Sequence, residues 1–147
     1  AAGAAATLIA APGRGRAPGR DPAIVIRLLG FGQARAELAY MPEATIPAAK
    51  TALAMADLPI TRMDAVKSHN PFAVNDIAFA RATGIDAMTM NNYGSSLIWG
   101  HPQAPTGMRS VIELIEELVL RGGGYGLVEG CAAGDTAMAV VLQVASR

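Results

Sequence analysis

His101 stands between Gly100 and Pro102, a flexible residue and a rigid one that together shape the backbone around an imidazole able to exchange a proton near neutral pH. Cys131, the one cysteine of the chain, sits in Gly130-Cys131-Ala132-Ala133-Gly134. There a β-rich run gives way to small residues that leave the thiol approachable and nearby backbone amides open to an anion. The second of the two histidines, His69, lies in Ser68-His69-Asn70-Pro71-Phe72, between an apolar run and a proline turn. Taken singly, each has an ordinary structural counterpart: a loop histidine with a satisfied ring, or a free cysteine acting as a small buried hydrophobe. Their conjunction is what separates the two readings.

The elements that must position these residues alternate in type. Ala4-Ala5-Ala6-Thr7-Leu8-Ile9-Ala10 reads as a strand with no cap or turn in front of it; with the absence of an initial methionine, this suggests a preceding amino-terminal portion. Residues 12–22, with three prolines, three glycines and three arginines, read as a surface connection. A β-branched run predicts a strand over 23–34, with Gly30 and Gly32 loosening it or introducing a bulge. From Pro42, apolar residues at Ile46, Ala49, Leu53 and Ala56 follow helical spacing until Pro59. Met63 to Ser68 is a short strand, the His69-Asn70-Pro71 turn follows, and Phe72 to Ala82 reads as a helix closed by Gly84. Thr106 is the expected N-cap of a helix whose face carries Val111, Leu114, Ile115, Leu118 and Val119, ending at Arg121-Gly122-Gly123. Tyr125–Glu129 and Ala137–Val144 read as adjacent antiparallel strands flanking the turn that begins at Gly130. This alternation predicts a layered α/β domain, and no internal repeat is visible.

The chain has 147 residues, the size of one domain. Its twelve basic and twelve acidic residues cancel, and no basic run with interleaved aromatics offers a nucleic-acid surface. Hydrophobic residues make up 52% against 16% charged, which predicts buried sheets or a large subunit interface, hence an oligomer. The lone cysteine excludes an internal disulfide framework and agrees with a reducing compartment. No apolar run approaches the roughly 20 residues of a membrane span, and the first residues lack the basic stretch of a signal peptide. The cytoplasm is the expected location.

Read whole, Met90-Asn91-Asn92-Tyr93-Gly94-Ser95-Ser96-Leu97-Ile98-Trp99-Gly100-His101-Pro102, with Pro105-Thr106-Gly107-Met108-Arg109 behind it, resembles the thiolase segment in which an asparagine and a glycine precede a Gly-His-Pro turn. Gly122-Gly123-Gly124-Tyr125-Gly126-Leu127 followed by Gly130-Cys131-Ala132-Ala133-Gly134 is similar to that family's closing strand, cysteine loop and last strand. Ser68-His69-Asn70-Pro71-Phe72-Ala73 occupies the place of its Asn-Glu-Ala-Phe turn. Order and intervals agree from about Ala1 to Arg147.

The resemblance implies the carboxy-terminal half of a thiolase, an α/β/α layered half with a mixed five-stranded sheet. Residues 1–11 would then end a preceding domain or form the first strand, 12–22 would connect, and 23–147 would be the carboxy-terminal domain. It implies ping-pong acyl transfer between coenzyme A thioesters, with acyl-CoA and coenzyme A as substrates, no permanently bound cofactor and no metal. His101 would take the nucleophile's proton and, in condensation, donate from Nε2 to the second thioester oxygen. Cys131 would be the general acid/base, its ordinary pKa of about 8.5 being close enough to neutrality for both tasks. His69 falls where many members place an asparagine holding an oxyanion-hole water, and some place a histidine. Ala133 falls where a backbone N–H helps stabilise the acyl-enzyme oxyanion. Asn91 and Gly94 match the family's substrate-loop turn, whereas Tyr93 and Ser95 depart from it. Phe72, Pro102 and Arg109 are assigned to packing and loop shape.

No second cysteine exists to act as nucleophile. In the family it lies in the amino-terminal half, so this chain alone is expected to be inactive and to need that half, from the same polypeptide or a separate chain, within a homodimer or homotetramer. Ketoacyl synthases share the architecture but pair their nucleophile with a different histidine set, and Cys131 argues against them. A non-catalytic, lipid-associated scaffold of the same fold is the alternative, and an unrelated binding module would have to produce three ordered motifs by chance.

Overall fold

The computed structural model describes residues 2–11, 14 and 21–146, and it places four strands in one mixed sheet between two helical layers. The sheet order is β1 (Ile24–Arg35), β4 (Thr136–Ser146), β3 (Gly123–Ala132), β2 (Ala65–His69). β1 and β3 run antiparallel to β4, and β2 runs parallel to β3. The resemblance implied a fifth strand. Ala4–Ala10 does not supply it: this segment has no regular structure and is exposed throughout, with Leu8 74% and Ile9 79% accessible. An alanine-rich run has few side chains to anchor it on a sheet edge. Residues 12–22 lie largely outside the described residues.

On one face, α1 (Thr45–Ala56) and α2 (Ala73–Thr83) cover the sheet. The helical face of α1 is built from alanines, Ala48, Ala49 and Ala52, with Leu53, and its backbone comes down onto β1 where that strand has Gly30 and Gly32. A Cβ at Gly30 would lie 2.2 Å from the Ala52 carbonyl oxygen, and one at Gly32 2.2 Å from that of Ala48. The glycines are therefore a helix-docking surface, and the register shift between Leu28 and Gly30 is the expected bulge. Phe79 of α2 is fully buried in the same layer, and Gly84 closes the helix at φ 78° as expected.

The other face carries α4 (Thr106–Leu120), whose Leu114 and Leu118 are fully buried over Ala65, Val128 and Leu142. Each such leucine contributes about 1.5–3 kcal/mol of transfer free energy. Thr106 is the first residue of α4 and Pro105 its cap, because the threonine hydroxyl turns back to donate to the Pro102 carbonyl at 2.7 Å. α4 leaves part of this face open. Ile26, Leu28 and Phe31 of β1 pair with Val144, Leu142 and Val140, so they share α4's side of the sheet, yet they are 48%, 53% and 51% exposed.

Candidate functional site

β2 delivers His69 as its last residue. All five residues of the strand are buried, and His69 lies in register with Gly130 of β3. A Cβ at Gly130 would come 3.0 Å from that of His69, so the glycine leaves room for the ring. The His69-Asn70-Pro71 turn is fixed by Asp76 in the first turn of α2. Asp76 accepts from the Ser68 hydroxyl and, at 2.5 Å, from Asn70 Nδ2. Phe72, expected to pack, is 59% exposed; its backbone, rather than its ring, participates locally by accepting from Asn75 N–H.

Asn91 takes φ 54° and lies along the free edge of β2 like one residue of a missing strand. Its N–H donates to the Val66 carbonyl at 3.0 Å, and its Oδ1 accepts from the Ser68 N–H at 2.9 Å. This satisfies edge groups that would otherwise be unpaired. Gly94, at φ 106°, makes room for the indole of Trp99, whose Nε1 donates to the Tyr93 carbonyl at 3.2 Å; a Cβ at Gly94 would lie 2.0 Å from that nitrogen. Trp99 ends a short helix, α3 (Ser96–Trp99), that local spacing did not announce. Gly100 caps it at φ 81°, and His101 follows.

The two histidine rings meet at a centroid distance of 4.2 Å. His69 Nδ1 lies 2.8 Å from Ser96 Oγ, and His101 Nδ1 lies 2.8 Å from Thr106 Oγ1. The Thr106 hydroxyl has one proton, which it gives to Pro102, so its oxygen accepts from His101 Nδ1–H. The neutral His101 ring therefore carries its lone pair on Nε2, the form a proton acceptor needs. Burial first, then His101 and Arg109, lowers the pKa of His69 to about 4, which keeps its ring neutral near neutral pH. Arg109 donates to the Gly100 carbonyl at 3.3 Å and Pro102 is buried, both shaping the turn as expected.

Cys131 is one residue beyond Gly130, so its side chain falls on the sheet face opposite His69, where Asn75 Nδ2 donates to Sγ at 3.3 Å. Among the described residues neither histidine hydrogen-bonds to it. All three groups nonetheless gather at one end of the β2–β3 pair. Burial raises the thiol pKa, Asn75 opposes the rise and Glu129 adds to it. Glu129, on the same face two residues earlier, is fully buried, neither carboxyl oxygen has a hydrogen bond of good geometry among the described residues, and burial followed by the charge of Asp76 pushes its pKa well up against the opposing pull of the Thr45 hydroxyl. Ala133 is on the exposed turn after β3, which β1's end holds through Arg35 Nε to the Gly134 carbonyl at 3.0 Å. Asn75, Asp76, Ser96, Thr106 and Glu129 escaped the sequence reading as site residues. Ser96 and Thr106 stood inside segments singled out for other reasons.

Among the described residues no helix is long and apolar enough to cross a membrane. The family description of the thiolase carboxy-terminal domain matches residues 23–144. The 3-ketoacyl-CoA thiolase of Aeromonas salmonicida is 34% identical over 163 aligned positions, covering 97% of this chain and 36% of the relative. Beta-ketothiolase BktB of Cupriavidus necator is 31% identical over 117 positions, covering 80% of this chain and 30% of that one. The crystal structure of human mitochondrial 3-ketoacyl-CoA thiolase in complex with CoA superposes with a TM-score of 0.77 at 30% identity, covering 83% of this chain and 30% of the human one. The chain thus spans about a third of the length of these relatives.

Proposed function

This chain belongs to the thiolase family, as its carboxy-terminal domain, and from that premise we propose that it supplies the acid–base half of a 3-ketoacyl-CoA-cleaving or -forming acyltransferase whose nucleophilic cysteine lies outside residues 1–147. The observation that carries the reading is the 2.8 Å contact of His101 Nδ1 with a Thr106 hydroxyl already donating to Pro102, from which follows a proton-accepting Nε2 at the sheet end that also holds Cys131.

In cleavage, His101 Nε2 takes the proton of the nucleophile's thiol, and the thiolate adds to the 3-keto carbon. The C2–C3 bond breaks, and the acetyl-CoA enolate receives its proton from Cys131 Sγ–H. The raised thiol pKa suits this step because the group must start protonated. Coenzyme A then gives its thiol proton to the Cys131 thiolate and attacks the acyl-enzyme. The nucleophile's thiolate leaves and recovers its proton from His101. In condensation the steps reverse, and Cys131 abstracts the α-proton of the incoming acyl-CoA.

Neutral His69 holds a water or the thioester oxygen beside His101, in the position where other members have asparagine. The Ala133 N–H serves the acyl-enzyme oxyanion, and Asn91 and Gly94 set the loop that borders the substrate. The amino-terminal thiolase half covers the open apolar strip of Ile26, Leu28 and Phe31. Assembly as a homodimer or homotetramer in the cytoplasm completes the proposal, residues 1–11 belonging to the preceding domain or its junction.

The test is acetoacetyl-CoA thiolysis by this chain alone and combined with an amino-terminal thiolase half. Turnover only in the combination, abolished by His101→Ala or Cys131→Ala, supports the assignment. A combination that folds and binds coenzyme A but turns over none of several acyl-CoA thioesters favours a lipid-associated scaffold.

A further inference from the structure

The two histidines come from different segments, β2 and the turn after α3, yet their rings are in contact, so something must hold the segments in register. A single carboxylate on α4 reaches both. Glu113 Oε2 is 3.8 Å from Lys67 Nζ, and Lys67 lies two residues before His69 on the same sheet face. Glu113 Oε1 is 3.4 Å from Arg109 Nε, and Arg109 Nη1 donates to the carbonyl of Gly100, the residue before His101.

We propose that Glu113 is a positioning residue for the proposed acyl transfer, tying Lys67 on the His69 strand to Arg109 beneath the His101 turn and so setting the contact between the two imidazoles. Several observations support a positioning role over a merely solvated ion pair. Lys67 is 1% exposed and Glu113 24%, so solvent screens this bridge less than a surface pair. Among the described residues Lys67 Nζ has no hydrogen-bond partner and its ion pairs are with Glu113 and Glu117, both at 3.8 Å, with the Tyr93 ring 5.7 Å away. Glu117 cannot replace Glu113, because its other oxygen is engaged by Arg121 at 2.9 Å and Asn92 at 2.7 Å, at the end of α4 away from the Gly100 turn. Arg109 Nε and Nη2 are likewise buried without hydrogen bonds among the described residues, where the guanidinium has this carboxylate and the Gly100 carbonyl.

The inference rests on the proposed roles of His69 and His101, but its geometry is testable without turnover. The rings of the chain are titrated by NMR in wild type, Glu113→Gln, Glu113→Asp and Arg109→Lys. Burial holds the proton affinity of His69 down first, and His101 and Arg109, which face it, lower it further. Removing the negative charge of Glu113 while leaving the geometry intact can only lower the His69 pKa further or leave it unchanged. Separating the rings raises it. Glu113→Gln is expected to raise the His69 pKa by about one unit and to weaken the ring-to-ring NOE. Glu113→Asp should restore both in part, and Arg109→Lys, which keeps the charge but loses the fork, should resemble Glu113→Gln. In the combination with an amino-terminal half, kcat should fall roughly tenfold with little change in KM. A His69 pKa that falls or stays fixed in Glu113→Gln, with the NOE intact, overturns the proposal whether or not the enzyme assay shows turnover.

Discussion

The imidazole of His69 lies 4.2 Å from that of His101, and burial, followed by the charges of His101 and Arg109, lowers the pKa of His69 to about 4. Its folded-state pKa is below the unfolded value of about 6.5, so between these values the unfolded chain binds a proton that the native ring refuses. Stability therefore rises with pH through this window and is lost as pH falls from about 6.5 towards 4, with a slope of up to about 1.4 kcal/mol per pH unit from this group. His69→Asn should flatten the dependence, which urea unfolding of the two proteins at pH 5 and 7 will measure. Equal slopes would contradict the assignment.

Glu129 acts with the opposite sign. Its folded pKa is raised, so the unfolded carboxyl ionises first, and stability falls as pH rises above the ordinary glutamate value. Glu129→Gln keeps the shape and removes the titration. The variant should gain on wild type steadily from pH 5 to pH 8 in chemical denaturation, and a constant difference would show that Glu129 titrates normally.

Thr106→Val removes the acceptor that holds the proton on His101 Nδ1. The ring is then free to adopt the other tautomer, and thiolysis by the reconstituted enzyme should slow roughly tenfold to a hundredfold. Thr106→Ser should retain most activity. If valine and serine behave alike, the hydroxyl does not set the tautomer.

Asn75→Leu deletes the donor to Cys131 without opening a cavity. The thiol pKa should move further up, seen as a later rise in thiolate absorbance with pH. Asn75 Oδ1 is itself buried without a hydrogen-bond partner among the described residues, so the fold should lose little or gain. An unchanged titration would mean that burial alone governs the thiol.

Gly32→Ala drives a methyl against the Ala48 carbonyl and should cost about 1–3 kcal/mol. Gly107→Ala, in the first turn of α4 with nothing within 4 Å, should be neutral or stabilise by up to about 1 kcal/mol. Thermal unfolding of the pair separates close packing from backbone entropy.

The elements legible in the sequence were those with a local signature. The Leu114 and Leu118 stripe, the Gly84 stop, the β3–β4 hairpin and the bulge near Gly30 all follow from spacing and backbone preference. The misreadings came where local preference meets no partner. Ala4–Ala10 has strand-like composition but pairs with no strand, and the edge of β2 is met instead by the single residue Asn91. Thr106 looked like a cap, but its hydroxyl is drawn to Pro102 and His101. His101 and Cys131 stood out because their flanking residues are unusual. Asn75, Ser96 and Glu129 did not, since nothing near them in sequence reports the thiol, the ring or the low-dielectric layer they meet across the fold.

Among the described residues β1 is bonded only to β4, from Ile24 opposite Ser146 to Arg35 opposite Thr136. On the ribosome this strand emerges long before its sole partner, and its Ile26, Leu28 and Phe31 must wait through the synthesis of both helical layers. Pairing of β1 therefore waits for the synthesis of β4, and a nascent chain stalled before Thr136 should be a preferred client for hydrophobic-segment chaperones.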